Sequence, residues 1–184
     1  MSPYNQFPVQ YSCHVLGENG ELDHYEYLHT ENTDPRKPLA EMLLSSISGT
    51  GSVVAYFAGF EKSILENLCE CFPEYSAKLQ SIIDRLWDQL IIFKYHYKHY
   101  AFGGTNSLKS VLPVVVPELS YEDLEVQGGT DAQAVWDEMI NTEDEEQKER
   151  MIKELKEYCR MDTLAMVEIH RKLLDVLRVT VLLS

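Results

Sequence analysis

The chain has no run of 18 consecutive apolar residues, so no transmembrane helix is expected. Its first ten residues, MSPYNQFPVQ, lack a basic region followed by an apolar one, which excludes a secretory signal there. Basic residues are scarce, 16 Lys and Arg against 30 Asp and Glu, for a formal net charge of −14. That balance excludes a duplex binder working through a basic surface alone. It leaves open an enzyme that meets nucleic acid through bound metal ions. Cysteine is sparse and has no CxxC or zinc-ribbon spacing. Cys13, Cys69, Cys71 and Cys159 read as buried, reduced thiols of a cytosolic protein. His96 and His99 lie in the run Tyr95-His96-Tyr97-Lys98-His99-Tyr100, with no third ligand beside them. A half-exposed aromatic loop suits them better than a zinc site. No internal repeat and no low-complexity linker is visible.

What is present suits one ordinary domain spanning residues 1–184. Hydrophobic residues are 45% and charged residues 25% of the 184, which excludes wholesale disorder. A compact chain of this mass exposes about 9,000 Å² and needs neither disulfide nor structural metal.

Residues 7–16 and 22–28 are β-rich and flank Gly17-Glu18-Asn19-Gly20, a hairpin pattern in which Asn-Gly supplies positive φ angles. Asp34-Pro35 opens a helix carrying Leu39, Met42, Leu43 and Ile47, and Gly49-Thr50-Gly51 closes it. Residues 52–57 (SVVAYF) form a short apolar run that suits a strand buried on both faces. A helix with Ile64, Leu65 and Leu68 inward follows and breaks at Phe72-Pro73; another spans residues 75–86. Residues 88–93 (DQLIIF) read as a second buried strand. Beyond a Tyr- and Gly-rich loop, a small helix starts near Asn106 or Ser107. Pro113 and Pro117 keep the apolar stretch between them out of a strand interior. Further helices cover 131–140 and 145 to about 177. Residues 137–157 carry nine acids and four bases, the composition of a solvated helical face. A hairpin followed by strand–helix alternation implies an α/β fold with a mixed sheet between helices, of the ribonuclease H-like kind.

Two segments can carry chemistry. Tyr56-Phe57-Ala58-Gly59-Phe60-Glu61-Lys62 sets an acid just past an apolar strand, where α/β sheets place ligands; a helix N-terminus also favours an acid through its dipole alone. Glu157-Tyr158-Cys159-Arg160-Met161-Asp162-Thr163 sets Tyr158 and Asp162 one helical turn apart on one face. A phenol and a carboxylate so placed can hold a metal and its bound water. Asp88, at the start of the second buried strand, is a further acid with either a supporting or a merely structural role. Lys109 either touches a phosphate or is simply solvated.

In this order the two segments resemble the DEDD 3′→5′ exonucleases, the DnaQ-like group, in the subclass with a tyrosine before the last acid. That resemblance implies four carboxylates holding two Mg²⁺ or Mn²⁺ ions. Glu61 takes the place of the third carboxylate, where Asp is usual, Asp162 that of the fourth, and Tyr158 the water-orienting role. Blocks at residues 3–12, 55–62, 104–113 and 158–166 resemble more closely an uncharacterised bacterial family, domain of unknown function 2779, with a DnaQ-like domain. The resemblance implies a nucleic-acid substrate, single-stranded DNA or RNA, further domains of a longer chain, and no membrane. A homodimer is one way to complete the sheet.

In that family a D-F-E-T strand lies upstream of the first block. Here the sequence opens at Met1-Ser2-Pro3-Tyr4, so the opening D-x-E strand is expected to be missing and the domain incomplete at its N-terminus. The triplets Asp123-Leu124-Glu125 and Asp144-Glu145-Glu146 both follow the hairpin and do not replace it. As a fragment the chain is expected to be inactive and to bind metal weakly. A nuclease-like scaffold without catalysis is the alternative. A gap in mid-sheet would need filling, by residues 178–183 as a strand, by a second copy, or by rearrangement of residues 2–7.

Overall fold

The computed structural model describes residues 7–121, 124–126 and 128–182. Strands β1 (Gln10–Leu16) and β2 (Leu22–Leu28) form an antiparallel hairpin. Only Gly20 takes a positive φ in its turn, at 84°. The Asn19 side chain instead accepts from the Glu21 N–H, so the turn is wider than the tight Asn-Gly form expected. Helix α1 (Arg36–Ser46) follows, then β3 (Val53–Ala55), α2 (Ala58–Cys71), a 3₁₀ turn at Pro73–Tyr75 and α3 (Ser76–Ile83). Strand β4 (Leu86–Asp88) pairs in parallel with β3. The chain then passes through a π-helical turn at Ile92–His96 and a 3₁₀ turn at Tyr100–Phe102 to α4 (Leu108–Val115), α5 (Gly129–Asn141) and the long α6 (Glu145–Leu182).

The fold is mixed α/β, and several expected boundaries change. The second buried strand occupies Leu86–Asp88 rather than residues 88–93, and Asp88 ends it instead of starting it. The apolar run after Asp88 turns helical because Phe93 seeks the core beside Phe102 and Val111. Strand β3 is shorter than expected and is not buried on both faces: Ala55 is 6% exposed but Val54 36%. Met42 lies on the open side of α1, at 43%. Residues 178–182 continue α6 as helix, so the strand expected over 178–183 does not form there. Residues 1–6, most of the segment 2–7 considered as a filler, lie outside the described residues. Cys71 is exposed, not buried. Of the two D-x-E triplets, Asp123 lies outside the described residues, and Asp144 accepts from the Glu146 and Gln147 N–H groups as the N-cap of α6.

Alternation along β1 sorts its neighbours into layers. Tyr11 joins Tyr27, Val53 and Leu86 on a core built from α1, α2 and α3. Ser12 and His14 point to the other face, where both bond the Thr163 hydroxyl on α6 at 2.8 Å. Helix α6 also packs Met151 and Leu155 under α5 and Ala165 and Ile169 against α4.

Among the described residues the strands make two separate two-stranded sheets, β1-β2 and β3-β4. Bonds from His29 N–H to Val9 and from Gly17 N–H to Glu21 bracket the hairpin ladder. Its alternation therefore turns the peptide groups of Gln10, Ser12 and His14 away from β2. Bonds from Val53 N–H to Arg85 and from Gln89 N–H to Ala55 likewise turn those of Val54 away from β4. Each sheet thus keeps an outer edge that no described strand pairs.

Candidate functional site

Glu61 stands in the first turn of α2, just past β3. The entry to that helix is strained: Phe57 holds φ 70° and ψ 57°, a left-handed conformation costly for a residue with a side chain. Asp88 secures the bend, because its Oδ1 accepts from the N–H groups of both Phe57 and Leu90 at 3.0 Å. Asp88 therefore clamps backbone through Oδ1.

Tyr158 and Asp162 occupy one face of α6. Asp162 Oδ1 accepts from the Tyr121 hydroxyl at 2.7 Å, and the Tyr158 hydroxyl lies near enough to favour the charged carboxylate. The Lys109 ammonium lies 5.4 Å from the Tyr121 ring centre and 5.6 Å from that of Tyr158, a cation–π arrangement. From there its charge reaches Asp162. Two helices and a loop thus bring Lys109, Tyr121, Tyr158 and Asp162 together, and a third helix sets Glu61 within reach of the Asp162 charge.

The electrostatics follow from crowding of like charges. Burial pushes the Asp162 pKa up, while the two tyrosine hydroxyls and Lys109 pull against that rise. Glu61 keeps an open face to solvent. Surrounding protein, and then the Asp162 charge, push its pKa up. Tyr121 and Tyr158 are both held as neutral phenols by burial and by the adjacent Asp162. Cys159 lies behind them, its thiol pushed up to about 12 by burial and by Asp162 and Glu61.

Among the described residues no group of three or more His, Cys, Asp or Glu is placed to hold a metal ion. Of the residues named from sequence, Tyr158 and Asp162 share one face of α6, Lys109 lies over the Tyr158 ring, and Glu61 feels the Asp162 charge. Asp88 serves as a bend clamp. Sequence reasoning missed Tyr121, because its segment has no periodicity and its partner lies 41 residues away.

The profile of a domain of unknown function (DUF2779) matches residues 1–107. An uncharacterised protein of Mycoplasma genitalium, MG366, is 28% identical over 189 residues, covering 91% of this chain and 28% of the relative. The homologue in Mycoplasma pneumoniae is 33% identical over 188 residues, with the same coverage of 91% and 28%. The chain therefore spans less than a third of the length of the curated relatives it matches. No solved structure matches the chain.

Proposed function

The chain belongs to the DUF2779 family, and from its carboxylate site we propose that it forms the body of a 3′→5′ exonuclease-type domain with a ribonuclease H-like plan. The observation that carries this reading is that Glu61, in the first turn of the helix after β3, feels the charge of Asp162, which shares one face of the last long helix with Tyr158. A tyrosine one turn before a helical acid, near a second acid in the helix turn that follows a strand, suits phosphodiester cleavage in which two ions bridge the reacting phosphate.

The described residues do not fit two such ions by themselves. Two carboxylates supply too few oxygen ligands for hard divalent cations, and one oxygen of Asp162 is committed to Tyr121. Two further acids would have to come from outside this set of residues, on a strand between the outer edges of β1 and β3. What the chain itself contributes is position. Tyr121 orients the Asp162 carboxylate, Tyr158 stands one turn before it, and Lys109 offsets part of its charge.

The test compares this chain with a longer natural protein containing it. Labelled single-stranded DNA and RNA are incubated with each in Mn²⁺, with Asp162→Ala as control. The reading expects degradation by the longer protein, abolished by the substitution, and none by the chain alone. A longer protein that degrades neither substrate overturns it. The carboxylate shortfall instead favours a second reading, a nuclease-like scaffold without catalysis, and that outcome would support it.

A further inference from the structure

Charge is distributed unevenly along this chain. None of its 30 acids falls between Gln89 and Pro117, a stretch that carries Lys94, Lys98, Lys109, His96 and His99. The fold divides the aromatic rings of this stretch into two sets. Phe93 and Phe102 are buried and meet edge-on at 5.9 Å, with Tyr97 within 5.8 Å of Phe93. That inner set anchors both helical turns. The outer set faces solvent: Tyr95 is 63% and Tyr100 92% exposed, and His96, His99 and Lys94 are exposed beside them. Tyr100 lies against the His99 ring at 4.6 Å, and the Lys94 ammonium covers the Tyr95 ring at 5.3 Å. Next to this set runs an open groove of about 480 Å³ lined by Tyr56, Phe57, Leu90, Lys94, Ser107 and Leu108, among others. Along the chain, Phe57 leads to Glu61 and Leu108 to Lys109.

Core packing does not account for rings left in water, and a solvated loop in so acidic a chain does not account for the missing acids. We propose that the outer face of residues 94–100, with the groove beside it, binds unpaired nucleic acid. Bases stack on Tyr95 and Tyr100, and the backbone phosphates meet Lys94 and the imidazoles. Exposed rings interleaved with cations form a sequence-tolerant platform for single strands. A paired duplex offers phosphates but no free base faces. The proposal rests on the nuclease reading for what becomes of the strand, but not for its binding.

Fluorescence anisotropy tests it on the full chain, in EDTA and at low salt. The probes are labelled 12-mers of deoxythymidine and of uridine, a 12-base-pair duplex, and an oligoglutamate of similar charge. The single strands should bind more tightly than the duplex or the oligoglutamate. The double substitution Tyr95→Ala/Tyr100→Ala should weaken single-strand binding at least tenfold, since each stacked base contributes about that much. Lys94→Glu should weaken it and flatten its salt dependence by about one phosphate contact. Both tyrosines are exposed, so thermal melting should show these variants folded. No binding of single strands, preference for duplex or oligoglutamate, or unchanged affinity in the tyrosine double variant would each overturn the proposal. Metal-free binding by a chain whose longer parent is no nuclease would leave this inference standing and remove only the nuclease reading.

Discussion

Glu61 and Asp162 work against the stability of the fold at neutral pH. Each is an acid whose pKa is raised, by burial first and for Glu61 then by its neighbour's charge. In the window between the ordinary carboxylate pKa and the raised one, the folded state binds more protons than the unfolded state. Stability therefore falls as pH rises through that window, and the penalty is fully present above it. Glu61→Gln should raise the melting temperature at pH 7, by about 2 °C once solvent screening of its open face is allowed for. The gain should vanish below the ordinary carboxylate range, near pH 4. Melting curves at both pH values decide it, and a loss of stability at pH 7 would show that Glu61 makes a favourable contact instead.

At the scale of elements, α6 is tied to the hairpin by a small polar cluster. The Thr163 hydroxyl meets Ser12 Oγ and His14 Nδ1, and Ser12 Oγ also meets His24 Nε2 at 2.9 Å. Removing the hydroxyl strands these half-buried groups, at about 1–3 kcal/mol. Thr163→Val should lower the chemical-denaturation free energy by that amount. The two imidazoles stand 4.5 Å apart. Burial, the His24 charge and Arg160 together lower the His14 pKa to about 4. As pH falls from about 6.5 toward 4, the unfolded chain takes up a proton here and the folded chain does not, so stability falls. His14→Gln should flatten that acid limb of the melting temperature against pH, and an unaltered limb would place the acid sensitivity elsewhere.

At the scale of the molecule, the accessible surface is 11592 Å², against about 9,000 Å² for a compact chain of this mass. Part of the excess lies on the far end of α6, where Val176 and Leu177 are 57% and 61% exposed, and part at β3. The chain matches 28% of the length of each relative. Millimolar Mn²⁺ should move the melting temperature of this chain by less than about 1 °C, because two acids hold a hard cation poorly. A longer protein with a completed site should gain several degrees, as a ligand that binds only the folded state requires. Equal shifts in the two would mean that Glu61 and Asp162 bind metal unaided.

Local chemistry alone determined a good part of this protein. The hairpin was legible because Gly20 needs its positive φ and the flanking residues are β-rich. The breaks at Gly51 and Phe72-Pro73 were legible for similar backbone reasons, and so was the shared face of Tyr158 and Asp162, which follows from the helical repeat. What the sequence could not determine was decided by contacts between residues far apart in the chain. Residues 89–93 look like a buried strand in isolation, but they coil because Phe93 and Phe102 meet in one core. Residues 178–182 favour strand by their β-branched side chains, yet they remain helical as the continuation of α6. Tyr121 reaches Asp162, and Asp88 clamps Phe57, only because packing brings their elements together, and no spacing rule along a chain encodes that.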